Sequence, residues 1–155
     1  ERLIGPECLY FAHGGVYLIG VNLAKNEIRH YALARMRDAE LVTSNAYEQS
    51  GVKPETLFKD TFGLLNTGVA HDIEILLSGP TATYFSERKW HESQSVVKTS
   101  DGYVLSLRVR VNDEFARWVL SLGLDATVIR PSVLGVMVSE LAENIALKYK
   151  LKKAA

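Results

Sequence analysis

The amino-acid sequence predicts an α+β protein built from two small modules. Hydrophobic residues make up 47% of the 155-residue chain, which is enough for packed cores. Four short β-rich runs precede residue 44, and strands and helices alternate in a regular order after residue 70. A glycine-bracketed loop at 63–68 separates the two patterns, so we place the modules at 1–68 and 69–155.

The first module is predicted to be a small, strongly bent sheet or a partly open barrel. Gly14-Gly15 lies between two β-rich runs and favours a hairpin turn. The predicted strands are Leu9–Phe11, Val16–Val21, Ile28–Met36 and Ala39–Thr43. Because four strands are few for closure, we expect another strand before residue 1 or from a partner chain. A short helix is predicted from Pro54, with Leu57, Phe58 and Phe62 on one face.

The second module has the element order of a ferredoxin-like domain with an added C-terminal helix. Its clearest strand is Tyr103–Val111, in which apolar residues alternate with the residues of the opposite face. Asn112 is a good N-cap for the helix that follows. The predicted elements are strand Asp72–Leu77, helix Pro80–Arg88, strand Gln94–Thr99, strand Tyr103–Val111, helix 113–122, strand Ala126–Ile129 and a long helix from Pro131.

Composition restricts the partners and the compartment. With 18 basic and 18 acidic residues, the chain has no overall attraction to nucleic acid or membrane, so any such attraction needs a local cluster. The single Cys8 allows no internal disulfide, which suits a reducing cytoplasm. No apolar run approaches the ~20 residues that span a bilayer. Because the chain begins with Glu1 rather than Met, we expect it to be a fragment of a longer protein.

A search for catalytic chemistry finds no candidate set, so we expect a protein that is not an enzyme, with no metal and no cofactor. The histidines do not follow a metal-ligand spacing, and no nucleophile-elbow motif is present. Gly63 and Gly68 have the glycine spacing of a P-loop, but Val69-Ala70 follows where Lys and Ser or Thr would hold the phosphates.

A basic and aromatic cluster in the first module is the main binding candidate. Between Lys25 and Arg37 there are four basic residues and one acid, and aromatic rings lie among them. Guanidinium groups bind phosphates and rings stack on bases, so the cluster suits a single-stranded nucleic acid. The candidate residues are Tyr17, Arg29, His30, Tyr31, Arg35, Arg37 and His13. The alternative is that these arginines only keep an exposed strand soluble.

Alternation along the predicted third strand raises a question of geometry. It puts Arg29, Tyr31 and Leu33 on one face, so Leu33 and Met36 can both be core only if the strand twists or carries a bulge. Possible contacts in the second module are Arg88, Trp90, Arg108 and Arg110. Trp90 is equally suited to anchor a core. Arg108 and Arg110 are expected on an uncovered sheet face, for which a two-fold mate is the commonest partner.

Two groups of motifs resemble a known family. Gly15-Val16-Tyr17-Leu18-Ile19-Gly20 resembles the WYL motif with Val16 at the Trp position, and Arg29–Met36 resembles the second signature, R-x-F-x-L-x-R-I. Further along, the chain is similar to the WCX extension that follows WYL domains. The matching segments are Trp90–Gln94, Asp101-Gly102, Trp118–Gly123 and Val128–Pro131.

The resemblance implies the sensing half of a bacterial transcriptional regulator. It implies an Sm-like or SH3-type barrel for the WYL domain and a homodimer that binds single-stranded DNA or a nucleotide-like ligand, in several members as part of the DNA-damage response. Promoter DNA would be bound only by an N-terminal helix-turn-helix, which this chain lacks. Tyr17 takes the motif tyrosine position, and Arg29 and Arg35 take the signature arginines. A nucleotide sensor and a dimerisation module without ligand remain the alternatives.

Overall fold

A computed structural model describes residues 1–12, 14–42, 47–49, 51, 53–80 and 82–152. The chain divides into two compact units, Glu1–Lys59 and Asp60–Ala155. The described residues form two antiparallel sheets together with α-helices, which confirms the α+β class. Among those residues, no helix is both long and apolar enough to cross a membrane.

The first unit contains a three-stranded antiparallel sheet in the order β1-β2-β3. Its strands are β1 (Ile4–Ala12), β2 (Gly15–Asn22) and β3 (Glu27–Ala32). At the β1–β2 hairpin Gly14 has a φ of 72°, which glycine adopts without steric cost.

Strand β1 begins well before the predicted start at Leu9. A Cβ at Gly20 would lie 2.8 Å from the carbonyl oxygen of Gly5, so glycine at position 20 lets β1 approach β2 closely. Pro6 is accommodated because the register shifts between Pro6 and Cys8, and an irregularity of this kind tolerates proline in a strand. The sequence analysis assigned residues 4–8 to no element, because the pairing that extends β1 over them comes from another strand.

After β2, the predicted strand Ile28–Met36 is confirmed only as far as Ala32, and the strand predicted at Ala39–Thr43 is wrong over its described residues. The third strand ends at Ala32 and gives way to a 3₁₀ turn at Leu33–Arg35, closed by a bond from Met36 N to Leu33 O. This turn, rather than a bulge, resolves the alternation problem, because it ends the strand before Met36. Residues 39–42 form no strand, and Thr43 lies outside the described residues.

The helix predicted over residues 54–62 is much shorter. Helix α1 covers Pro54–Leu57, and the two phenylalanines that follow belong to different units. Phe58 stacks on Tyr10 of β1 with a centroid distance of 4.2 Å. Phe62 contacts Trp118 of the second unit with a centroid distance of 4.6 Å. Tertiary packing therefore overrides the helical spacing that linked the two rings.

The second unit has the predicted ferredoxin-like topology. Its sheet has the order β5-β6-β4-β7, so β6 lies between β4 and β5 and all neighbours are antiparallel. The elements are β4 (Ala70–Leu77), α2 (Ala82–Ser86), β5 (Ser95–Thr99), β6 (Gly102–Arg110), α3 (Asp113–Ser121), β7 (Ala126–Arg130) and α4 (Ser132–Lys152).

The core of this unit follows directly from the alternation in β6. Leu105, Leu107 and Val109 are buried on the face that the helices cover, and Phe115 of α3 and Leu134 of α4 pack against the same core. Alternate residues of the strand therefore point to the uncovered face.

The start of α3 holds the loop that precedes β4. Asn112 caps the helix by accepting from Phe115 N at 3.0 Å, and its amide donates to Leu65 O and Thr67 O. The carboxylate of Glu114 accepts from the backbone amides of Leu64 and Leu65 at 2.9 to 3.1 Å. The loop with P-loop glycine spacing thus has two of its amides occupied by a carboxylate of the same unit.

Candidate nucleic-acid interface

The pairing register divides the first sheet into two faces. Residues directly opposite one another in an antiparallel ladder point to the same face, and neighbours along a strand point to opposite faces. Ile19 is paired with both Cys8 and His30, and Leu18 is paired with both Leu9 and Tyr31. We call the first set the packed face; it comprises Cys8, Tyr10, Ala12, Tyr17, Ile19, Val21, His30 and Ala32. We call the second set the open face; it comprises Leu9, Phe11, Val16, Leu18, Arg29 and Tyr31.

The packed face forms the core of the first unit. Ile19 and Val21 are buried, and Phe58 lies against the rings of Tyr10 and His30. The centroid of the His30 ring is 5.4 Å from that of Phe58. Tyr17, which the sequence proposed as a stacking ring, lies on this same face.

The open face exposes large apolar side chains. Phe11 is 70% exposed, Leu9 64% and Val16 41%, whereas Leu18 and Tyr31 are half-buried. Exposed apolar side chains grouped on one face, rather than scattered singly, are typical of a binding surface.

The residues that the sequence predicts to bind nucleic acid are therefore divided between the two faces of the sheet. Arg29 and Tyr31 lie together on the open face, while Tyr17 and His30 lie on the packed face. Arg35 lies in the 3₁₀ turn and Arg37 just beyond it, outside the sheet. His13 lies outside the described residues.

The cations of this region differ in their partners. Arg29 Nη2 is 2.5 Å from Glu27 Oε2, and the two side chains are 56% and 48% exposed. Arg37 Nη1 donates to the carbonyl oxygens of Ala34 and Met36. Within the described part of the chain, Arg35 is exposed and has no ion pair. An exposed ion pair is weak, so Arg29 and Arg35 are both available to an incoming anion.

Tyr31 carries an unsatisfied polar atom. Its hydroxyl oxygen is shielded from solvent, and among the described residues it has no hydrogen-bond partner. A buried hydroxyl without a partner costs roughly 1–3 kcal/mol. The second family signature has Phe at this position, and Phe would avoid that cost.

The four possible nucleic-acid contacts of the second unit all have partners within that unit. They are Arg88, Trp90, Arg108 and Arg110. The Trp90 indole nitrogen donates to Phe85 O at 2.8 Å, and its ring lies 5.3 Å from that of Trp118. The guanidinium of Arg88 lies over the Tyr84 ring, 4.1 Å from its centroid. These contacts place Trp90 in an aromatic cluster of the unit.

The uncovered face of the second sheet carries paired charges. Arg108 binds Asp72 at 3.1 Å, and Arg130 binds Glu74 at 2.7 Å. The hydrogen bond from Arg130 and its charge hold the pKa of Glu74 below its usual range. Arg110 donates to Gly68 O at 2.8 Å. Because carboxylates neutralise two of its arginines, this face is a poorer phosphate surface than the sequence pattern suggested.

Sequence reasoning missed two residues of the open face. Phe11 and Leu9 were assigned only to a strand, although they are its most exposed apolar side chains. Leu9-Tyr10-Phe11-Ala12 is a continuous apolar run, so the sequence carries no alternation that would place Leu9 and Phe11 on the outward face. Among the described residues, no group of histidine, cysteine and carboxylate side chains could hold a metal ion.

Comparison with known proteins identifies the class. The WYL domain matches residues 1–41, and the WCX domain matches residues 70–146. The chain belongs to the family of WYL-domain transcriptional regulators and carries the WYL and WCX domains of that family. It supplies a ligand-sensing region of such a regulator.

A solved structure with a matching chain is that of proteasome accessory factor B/C (PafBC) of Arthrobacter aurescens. It is 18% identical, with a TM-score of 0.35, and the match covers 88% of this chain. This chain spans only 21% of the length of that one. The curated proteins that were compared contain no match to the sequence.

Proposed function

We propose that the chain is the effector-sensing and dimerisation region of a transcriptional regulator and that single-stranded DNA is its activating ligand. The proposed binding surface is the open face of the first sheet, joined by Arg35. The observation that carries this proposal is the open face itself, which exposed Phe11 and Leu9 share with Tyr31 and a weakly paired Arg29. The WYL family assignment supports a ligand-sensing role for this sheet.

The chemistry of this face suits bases and phosphates together. A base stacked on a protein ring contributes about 1–3 kcal/mol and needs no sequence readout. The exposed Arg29–Glu27 pair is worth about 0–1 kcal/mol, so a phosphate can displace the carboxylate at little cost. Arg35 lies in the 3₁₀ turn that follows β3 and can neutralise a second phosphate.

Binding would act as a switch if the DNA strand favours one arrangement of the regulator over another. Single-stranded DNA accumulates when DNA is damaged, so this ligand would place the regulator in a DNA-damage response. Promoter DNA would be bound by a helix-turn-helix of the regulator.

The second part of the proposal is that the chain forms a homodimer through the uncovered face of the second sheet. Its uncovered face combines Val97, Val104 and Leu76 in one cross-strand row with the Asp72–Arg108 and Glu74–Arg130 pairs. A face that is partly apolar and has matched charges suits a second copy of the chain better than a polyanion. We therefore assign the homodimer contact to the WCX domain.

A titration with a labelled oligothymidylate at two salt concentrations tests the DNA proposal. We expect binding that weakens as salt rises, with a slope of about −0.7 in log K against log salt for each phosphate contact. The double variant Arg29→Ala/Arg35→Ala should lose about two such increments of slope. Arg117→Ala is the matched control, because Arg117 is exposed on α3 of the other unit and its loss should change nothing.

Two outcomes would overturn the proposal. Binding that is absent, or insensitive to salt and to the double variant, excludes the open face as a DNA surface. A mononucleotide that binds as tightly as the oligomer would replace the DNA strand with a nucleotide-like small molecule.

A further inference from the structure

Phe11 lies directly opposite Val16 in the β1–β2 ladder. Val16 stands where the WYL motif has Trp, so this chain lacks a ring at that position. Residues in such a cross-strand pair have Cβ atoms about 4.5–5.5 Å apart and share a face. The cross-strand pair in which Val16 replaces the motif Trp therefore still has an aromatic ring, which Phe11 supplies from β1.

We propose that Phe11 is the principal stacking residue for the DNA ligand and replaces the ring that Val16 does not provide. This inference rests on the proposed function of the open face. Phe11 is the most exposed ring of that face, at 70%, whereas Tyr31 is half-buried. Among the described residues the Phe11 ring lies outside the core, and the small Val16 beside it leaves the ring face accessible to a base.

The register also sets the minimum size of the ligand. Phe11 and Arg29 are separated by two strand spacings and by four residues along the strands. At about 3.4 Å per residue and about 4.8 Å per strand, their Cα atoms lie on the order of 16 Å apart. The backbone register fixes this separation whether or not Glu27 stays bound to Arg29. It favours an oligonucleotide whose base meets Phe11 and whose phosphate farther along meets Arg29.

Oligothymidylate titration of four proteins tests the role of Phe11. Relative to the unmodified chain, Phe11→Ala should bind about 5- to 150-fold more weakly, the range that corresponds to one lost stacked base. Phe11→Ala/Val16→Trp should recover most of the affinity, because it returns a ring to the same row. Tyr149→Ala is the matched control: Tyr149 is also 70% exposed but lies on α4, so its loss should leave binding unchanged.

The outcomes separate this inference from the function on which it rests. If the unmodified chain binds and Phe11→Ala binds equally well, the role of Phe11 is wrong and the DNA function stands. If the unmodified chain does not bind oligothymidylate, both are overturned. Because Phe11 is exposed, Phe11→Ala should keep the melting temperature of the parent. If Phe11→Ala is less stable than the parent, recovery of binding in Phe11→Ala/Val16→Trp still tests the stacking role.

A series of thymidylates of increasing length provides an independent measurement. Affinity should rise steeply once the ligand is long enough to reach both Phe11 and Arg29, and Phe11→Ala should flatten that rise. A gradual rise from the mononucleotide that Phe11→Ala leaves unaltered would contradict the two-contact geometry.

Discussion

Buried polar side chains in the two units differ in whether their polar atoms have hydrogen-bond partners. Asn112 is the clearest example, because one buried side chain caps α3 and also donates to the carbonyl oxygens of Leu65 and Thr67. Tyr31 is the opposite case, since its shielded hydroxyl has no partner in the described part of the chain. The polar atoms of Asn112 therefore stabilise the second unit, whereas the hydroxyl of Tyr31 destabilises the first unit.

Replacement of Asn112 should be among the more damaging changes to the second unit. Asn112→Ala removes an N-cap worth about 1 kcal/mol and leaves two carbonyl groups without their donor, so we expect a loss of roughly 2–3 kcal/mol in unfolding free energy. Asn112→Ser keeps an N-cap oxygen that can accept from the helix amides and loses the donations to Leu65 and Thr67, so its loss should be smaller. Urea denaturation of the three proteins measures this order, and equal losses would show that the N-cap contributes nothing.

Tyr31→Phe should stabilise the first unit by about 1 kcal/mol, because it removes a buried hydroxyl that makes no hydrogen bond. Tyr84→Phe is the control, since half of Tyr84 is exposed and the hydroxyl can bond to water. Thermal unfolding should show a higher midpoint for the first variant only. A lower midpoint for Tyr31→Phe would mean that the hydroxyl has a partner in the folded protein.

At the level of elements, how well the sequence predicted each strand depended on how local its determinants are. The pattern of β6 and the cap of α3 depend on near neighbours, and both were predicted correctly. The separate packing of Phe58 and Phe62 depends on distant surfaces, which no local period reveals. The same holds for the candidate site, because one stretch supplied Arg29 and Tyr31, whereas Phe11 joins them only through the register of another strand.

The pairing of β7 with β4 should depend on pH through Glu74. Arg130 lowers the pKa of Glu74 in the folded protein, first through the hydrogen bond and also through its charge, from a usual value of 4.5. A carboxyl whose folded pKa lies below its unfolded pKa adds stability above the unfolded value and loses it as pH falls through the folded value. The stabilisation should therefore be complete at neutral pH and decline below about pH 4.5.

Comparison of the parent with Glu74→Gln checks this dependence. Urea unfolding should show a small advantage of the parent at neutral pH that shrinks as the solution is acidified. Glu87→Gln is the control, because Glu87 is exposed in the same unit and forms no ion pair with the described residues, so the variant should keep the pH dependence of the parent. An advantage of constant size across the pH range would mean that the Glu74 carboxylate is not the source.

For the whole molecule, the compact units and the sequence pattern place the start of the second domain at different residues. The sequence pattern begins the second domain at residue 69, whereas the second compact unit begins at Asp60. Residues 60–68 make many bonds to that unit, including one from Arg110 N to Asp60 O at 2.8 Å. Thr61 is buried, and Phe62 packs on Phe115 and Trp118.

A fragment of residues 60–155 should therefore unfold cooperatively and be more stable than one of residues 69–155. The shorter fragment loses the Phe62 ring, a loss that in a core costs about 3–5 kcal/mol, and it leaves the carboxylate of Glu114 without the two backbone amides that it accepts from. Phe62→Ala in the longer fragment separates these effects, since it removes the ring and keeps the amide bonds; its stability should lie between the other two. Equal denaturation midpoints for the two fragments would place the start of the domain at residue 69, and residues 60–68 would then be a linker whose contacts with α3 are dispensable.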